Sequence, residues 1–203
     1  MGKAVNNPDL FPDLKVFGDW DPASSPPILC HRALFLLRCP AFSETADAET
    51  QEFKIPGLRN PRLVAAYVKF MYTDTLAADE LTISELLQMC EWLANNAPHM
   101  LDAPASAQPI DEGDDGFAKP KSSYGYEVML ACMHRQCIKL LHKALTVHNV
   151  FMVLKVSTKR NLLDVKWMCI SYVADMFSRQ RERERELLMS VARSSRDDLS
   201  SGT

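Results

Sequence analysis

The chain has 203 residues, of which 47% are hydrophobic and 24% are charged, and its formal net charge is −3. These values are typical of a globular chain that forms one domain, or one domain with an extension. The small negative charge gives no reason to expect nucleic acid or an acidic membrane surface as a partner.

The sequence also indicates where the chain resides. No run reaches the ~18–20 apolar residues that a membrane helix needs, so we expect no membrane contact. Residues 1–20 contain three aspartates and no apolar stretch before a cleavage site, so we expect no signal peptide. The six cysteines lie mostly among apolar residues of predicted helices, as reduced cysteines of intracellular proteins do. We therefore predict a cytoplasmic location, a nuclear location, or both.

Three short strands are predicted after an N-terminal segment, 1–12, that we expect to be disordered. Residues 14–17 and 28–30 are β-prone runs with a turn rich in Pro, Ser and Asp between them. Residues 53–55 form the third strand, whose two apolar side chains share one face.

A helix that we expect to be buried follows the second strand directly, with His31 and Arg32 as the hinge. Residues 33–37 are all apolar. Pro40 ends this helix because its ring disfavours helical geometry at the residue before it. Phe42 then begins a second short helix.

Two further helices carry strong start signals. Asn60 is an N-cap residue followed by Pro61 at the first helical position, and Thr82 and Glu85 form a capping box. Apolar residues at helical spacing follow each start, and we expect them to face the core. They are Leu63, Tyr67, Phe70 and Met71 in the first helix, and Ile83, Leu86, Leu87, Cys90, Leu93 and Ala94 in the second.

The chain changes character after residue 96. Residues 97–123 contain four prolines, a cluster of acidic residues and few large apolar side chains, so we predict a disordered insertion. Residues 124–190 are predicted to be almost all helix, with Thr146 and Asn161 as caps of the last two helices. Residues 191–203 are predicted to be a disordered tail.

Three sequence stretches resemble the BTB/POZ family, and the order of the predicted strands and helices matches that of the family. The first is Asp13-Leu-Lys-Val-Phe. The second, from His31 to Phe42, is similar to the family pattern His-Arg-x-x-Leu-x-x-x-Ser-x-x-Phe. The third, Tyr67-Val-Lys-Phe-Met-Tyr-Thr-Asp, is similar to the Phe-Ile-Tyr-Thr-Gly ending of a family helix.

The resemblance implies an α/β fold of the α+β type, in which a cluster of helices caps a small sheet and a helical extension follows. It implies a BTB/POZ domain over 13–145, interrupted by the insertion, and a BACK-like extension over 146–190. Residues 137–149 resemble the segment that closes the BTB core, and 161–170 resemble the paired helices that lead towards a BACK-like region.

The resemblance also implies a charged pocket at the centre of a homodimer, formed by Asp13, His31 and Arg32. We favour this structural or interfacial role over a catalytic one. The chain departs from the family in three ways: Cys39 stands where Ser is usual, the segment between Phe42 and Phe53 is short and acidic, and 1–12 has two prolines and no apolar stripe in place of a dimerisation helix. The third departure argues against a dimer that exchanges that helix.

Family members that bind a cullin carry a hydrophobic-x-Glu element after the aromatic of the second stretch. In this chain the triad starts at that aromatic, with Phe42 and Glu44, about four residues early. An equally strong alternative is that Phe42 belongs to the core and Glu44 is an exposed helix residue. Tyr72, His148 and Asn149 are the other cullin-binding candidates that the resemblance suggests.

Candidate chemistry is weak by comparison. Cys132 and Cys137, with His134 and His142 nearby, suggest zinc, but residues five apart on a helix point ~140° away from each other, so one ion could hardly bind both thiols. The sequence contains no glycine-rich phosphate loop and no hydrolase motif. We predict no catalytic residues, no metal and no cofactor.

The predicted function is therefore protein–protein interaction. The first hypothesis is a homodimeric substrate adaptor that joins a cullin scaffold of a ubiquitin ligase to an unidentified protein substrate. The alternative is a BTB scaffold of the transcriptional or cytoskeletal kind, which oligomerises without a role in ubiquitin ligation.

Overall fold

The computed structural model describes residues 12–20, 25–39, 42, 51–77, 79, 81–96 and 122–200, with the backbone alone at 122–124 and 191–200. The chain divides into two compact units, 1–144 and 145–203, which we call unit 1 and unit 2. The N-terminal segment and nearly all of the predicted insertion lie outside the described residues.

Unit 1 contains a three-stranded sheet in the order β2-β1-β3. The strands are β1 at Leu14–Phe17, β2 at Ile28–Cys30 and β3 at Glu52–Lys54. β1 pairs antiparallel with β2 and parallel with β3, so the sheet is mixed. All three predicted strands are present, and the third begins one residue earlier than its pattern predicts.

The central strand β1 alternates between two faces, as the period of two in a strand requires. Leu14 and Val16 are buried. Lys15, on the opposite face, is exposed and forms an ion pair with Glu52 of the neighbouring strand, with 3.3 Å between Nζ and Oε1. The helices of unit 1 therefore cover one face of β1.

Four helices complete the described part of unit 1, and two of them begin as their sequence signals predict. The Asn60 side chain accepts a hydrogen bond from the Arg62 N–H, at 3.0 Å. The Thr82 N–H donates to Glu85 Oε2 at 2.8 Å, and the Glu85 N–H donates back to Thr82 Oγ1 at 3.3 Å, which makes a complete capping box. The helices are α1 at Arg32–Arg38, α2 at Pro61–Thr73, α3 at Ile83–Asn96 and α4 at Ser122–Ala144.

The core of unit 1 is built on aromatic rings. Phe35, Phe42 and Phe53 meet edge to face, with ring centroids 5.0–5.8 Å apart. Tyr67 and Trp92 form a second pair at 5.4 Å, which links α2 to α3. The predicted inner faces of α2 and α3 are largely confirmed, and the fully or nearly buried members are Leu63, Tyr67, Phe70, Met71, Leu86, Leu87, Cys90 and Leu93.

Helix α1 differs from its prediction. It ends at Arg38, as the proline predicts, but it is not a buried helix. Phe35 is its one buried side chain, whereas Leu36 and Leu37 are 42% and 84% exposed. An all-apolar run carries no periodicity, so the sequence could not show which side of this short helix faces water.

Unit 2 consists of α5 at Val150–Lys159 and α6 at Leu163–Ser200, which pack against each other. The predicted caps of these two helices are wrong. The residue that caps α5 is Asn149, and its side chain accepts a hydrogen bond from the Thr146 N–H, at 2.8 Å. Asn161 has a φ of 56°, so it is a left-handed residue in the turn between the helices. The backbone of α6 is helical to Ser200, well into the predicted tail.

The described residues thus form an α+β chain with six helices and a small mixed sheet, which confirms the predicted class. Among these helices there is none with the length and apolar character needed to cross a membrane.

Candidate functional site

The junction between β2 and α1 brings Asp13 and Arg32 together. The backbone N–H of Arg32, the first residue of α1, donates to Asp13 Oδ1 at 2.7 Å. The first amides of a helix lack partners within the helix, and a carboxylate is favoured at this positive end of the helix dipole. Asp13, the residue before β1, therefore binds the start of α1.

His31 connects the same junction to α2. Its backbone N–H donates to the hydroxyl oxygen of Tyr72 at 2.8 Å, and its Nδ1 lies 2.7 Å from that oxygen. The two rings meet edge to face, with 5.9 Å between centroids. Burial raises the pKa of Tyr72, although the bond from the His31 N–H opposes this shift, so the phenol is neutral at neutral pH.

The other end of α1 is joined to the end of α2. The Arg38 guanidinium donates to the carbonyl oxygen of Met71 and to the carboxylate of Asp74. Asp74 follows α2 and has a φ of 55°, the left-handed conformation in which many helices end. A charged side chain therefore binds the exposed carbonyl end of α2 and the residue that terminates it.

Gln136 of α4 binds the loop that follows. Its Oε1 accepts from the Leu76 N–H at 2.8 Å, and its Nε2 donates to the Asp74 carbonyl oxygen at 2.7 Å. One amide thus satisfies a donor and an acceptor of a loop more than 60 residues away in sequence. No sequence signal predicted this contact, because it depends on the packing of α4.

Three leucines in the two elements that meet at the junction are exposed, and we call them the α1–β2 patch: Leu29, Leu36 and Leu37, which are 50%, 42% and 84% exposed. Leu36 follows Arg32 by one helical turn, so these two residues share a face of α1. Leu29 lies in β2, an edge strand of the sheet. These side chains are candidates for binding another protein by contact: Leu36 and Leu37 from α1, and Leu29 from the face of the sheet that carries Lys15.

The cullin-binding candidates do not form one described site. Phe42 is fully buried in the aromatic cluster, which favours the core alternative for this residue. Glu44 lies outside the described residues. Tyr72 is half-buried in unit 1, whereas His148 and Asn149 belong to the turn that opens unit 2.

The thiols of Cys30 and Cys90 are poorly suited to nucleophilic chemistry. Burial, and to a lesser degree the charge of Asp13, raises the pKa of the Cys30 thiol to about 12, so it is protonated at neutral pH. Cys90 of α3 interacts with Cys137 and His134 of α4, and the pKa of its thiol is well above the ordinary value, chiefly through the bond with Cys137 and burial. Sequence reasoning missed this grouping, because only the packing of α3 on α4 creates it.

No group of three or more metal-ligating side chains that could hold an ion occurs among the residues for which the structure gives positions. No protein-family model matches the chain, and the comparison with curated proteins finds no match.

Proposed function

We propose that unit 1 is a protein-interaction module of the BTB/POZ type, and that the chain is a self-associating substrate adaptor of a cullin-based ubiquitin ligase. The observation that carries the proposal is the exposure of the α1–β2 patch beside the Asp13–Arg32 junction. Exposed apolar side chains beside charged residues, here Arg32 and Arg38 of the same helix, are typical of a protein-binding surface.

The structure around the patch supports binding by a rigid surface. Both ends of α1 are fixed, by Asp13 and His31 at its start and by Arg38 at its end. A surface whose backbone is already held loses little conformational freedom when it binds. Leu36 and Leu37 would supply the apolar centre of the interface, with Arg32 of the same helix at its edge.

Self-association through this patch is tested by light scattering on the full chain at two concentrations. Leu37→Asp should lower the average mass at micromolar concentration, because an aspartate in an apolar interface loses its hydration without gaining a partner. Val128→Asp, at a 38% exposed position on α4, is the matched control and should leave the mass unchanged. An unchanged mass in Leu37→Asp would show that the patch is not the interface.

The ligase link is tested by purifying the tagged chain from cells and identifying a co-purified cullin by mass spectrometry. Glu44→Arg should remove the cullin, whereas Asp79→Arg, at another acidic residue of unit 1, should retain it. Absence of a cullin from the wild-type chain would contradict the adaptor role.

The burial of Phe42 favours a second candidate function. If Phe42 is only a core residue, the hydrophobic-x-Glu element is absent from the surface, and the chain is a BTB scaffold without a ligase. The scaffold function predicts that Leu37→Asp lowers the average mass while no cullin is captured by any variant.

A further inference from the structure

Helix α6 carries a second apolar stripe that unit 2 does not cover. The buried residues of α6 include Val165 and Cys169, which lie on one side of the helix. Other apolar residues, on the opposite side, fall on a seam whose positions alternate by three and four residues, which is the spacing of a coiled coil. These residues and their exposed fractions are Trp167 63%, Ile170 36%, Phe177 54% and Leu188 70%.

The segment 177–190 of α6 is exposed on every side. Each residue from 177 to 190 is exposed, although the helix continues without a break to Ser200. With 38 residues and a rise of ~1.5 Å per residue, α6 is about 57 Å long. Helices in water draw most of their stability from packing an apolar face, so this segment calls for a partner helix.

The charges within the stripe indicate what that partner is. Between Phe177 and Leu188, the same three–four spacing passes through Arg181 and Glu184. Within one helix the attraction of Arg181 to Glu184 is offset by the repulsion of Arg185, each ~0.2–0.5 kcal/mol, so these charges do little for α6 alone. In a parallel pair of two copies, arginine would face arginine and glutamate would face glutamate.

An antiparallel pair removes this conflict. When Arg181 lies opposite Glu184 of the partner subunit, symmetry creates the same ion pair a second time. The register that sets this pair also sets Phe177 opposite Leu188 of the partner subunit, so an apolar layer lies on each side of the charges. A charge held in a seam is tolerated only beside an opposite charge, so the ion pairs fix orientation and register.

We propose that α6 pairs with α6 of a second copy of this chain as an antiparallel two-stranded coiled coil, through Phe177, Arg181, Glu184 and Leu188. This interface lies in unit 2 and does not depend on the α1–β2 patch or on a cullin. A chain with both interfaces would form assemblies larger than a dimer.

The two interfaces are separated by measuring mass in the Leu37→Asp background. Sedimentation of this variant should give a dimer, and adding Phe177→Asp should give a monomer. Phe151→Asp is the matched control, because this phenylalanine is 58% exposed on α5 and lies outside the stripe. A monomer for Leu37→Asp alone, or a dimer that survives Phe177→Asp, would overturn the α6 pairing while leaving the proposed function to its own test.

Charge exchange tests the orientation in the same background. Arg181→Glu alone and Glu184→Arg alone each place like charges across the seam, and each should weaken the dimer at least about tenfold. An equimolar mixture of the two variants restores both opposite-charge pairs and should recover the wild-type dissociation constant within about threefold. A mixture as weak as its components would overturn the antiparallel pairing.

Discussion

The side-chain hydrogen bonds inside unit 1 differ in kind from those inside unit 2. In unit 1, side chains bind the backbone of distant segments: the Tyr72 hydroxyl binds the His31 amide, and Gln136 binds the loop at Leu76. In unit 2, side chains such as Ser157 and Thr158 bind the Leu154 carbonyl within their own helix. Hydrogen bonds between distant segments fix how those segments are arranged. Hydrogen bonds within one helical turn do not determine which other segments pack against the helix.

This difference suggests how the two units would contribute to binding. The ends of α1 are fixed before any partner arrives, so the α1–β2 patch offers a prepared surface. The exposed segment 177–190 of α6 receives no such support within unit 2, and its pairing with a second copy would supply the missing packing.

The strongest test removes a ring from the core of unit 1. Phe35→Ala should lower the free energy of unfolding by about 3–5 kcal/mol, because it deletes a fully buried ring from the aromatic cluster. Leu37→Ala, two positions later and 84% exposed, is the control and should change it by less than about 0.5 kcal/mol. Chemical denaturation measures both values. Equal effects of the two variants would refute the described packing of α1.

Hydrogen exchange of the Phe35→Ala variant shows whether the units are energetically distinct. We expect faster exchange in peptides from β1, α2 and α3, and unchanged exchange in the first half of α6. Loss of protection throughout both units would show that they unfold as one and are not energetically distinct.

The second test removes one long-range link. Gln136→Ala should destabilise unit 1 by about 2 kcal/mol, because the Leu76 N–H and the Asp74 carbonyl both lose their partner. Gln180→Ala, at an exposed residue of α6 whose amide binds Glu184 one turn away, should cost less than about 0.5 kcal/mol. Thermal unfolding compares the two. A similar cost at both positions would show that long-range side-chain bonds do not set unit 1 apart.

The sequence predicted those parts of the fold that depend on neighbouring residues. The cap at Asn60, the box of Thr82 and Glu85, and the strands are local features, and the structure contains them. Met89 and Trp92 are buried although they lie outside the apolar stripe predicted for α3. The sequence pattern did not predict their burial, because other elements pack on a wider part of this helix than the stripe. The left-handed turn at Asn161 was mistaken for a cap, since asparagine favours both positions.

The candidate site was predictable only in part. The resemblance placed Asp13 near Arg32, and the structure gives their contact through a backbone amide. The exposure of Leu36 and Leu37 was not foreseen, because apolar composition alone indicates burial. An exposed apolar face is known only once the covering elements are in place, and this limits what a sequence reveals of an interface.

The third test concerns the acid sensitivity of unit 1. Burial opposes ionisation of Glu85, but bonds from Thr82, the Arg62 charge and a bond from Asn60 outweigh it and lower its pKa. Because the pKa of Glu85 is lower in the folded chain than in the unfolded chain, where it is about 4.5, the charged carboxylate stabilises the fold at a pH above 4.5. This stabilisation is lost as the pH falls through the pKa of the folded chain. Glu85→Gln should cost about 1.5 kcal/mol at pH 7, and the difference from wild type should vanish in acid. Denaturation from pH 7 to pH 3 measures this. A constant difference at all pH values would contradict the role of the charge.

The smallest expected effect lies in the turn of unit 2. Asn161→Ala should destabilise unit 2 by about 1 kcal/mol, because alanine tolerates a φ of 56° less well than asparagine does. Asn161→Gly should stay within about 0.5 kcal/mol of wild type, since glycine adopts this conformation without strain. Hydrogen exchange at the start of α6 reports the change in the unit concerned. If the alanine and glycine variants are equally stable, the left-handed backbone at residue 161 does not limit the stability of unit 2. That stability would then come from the packing of α5 on α6.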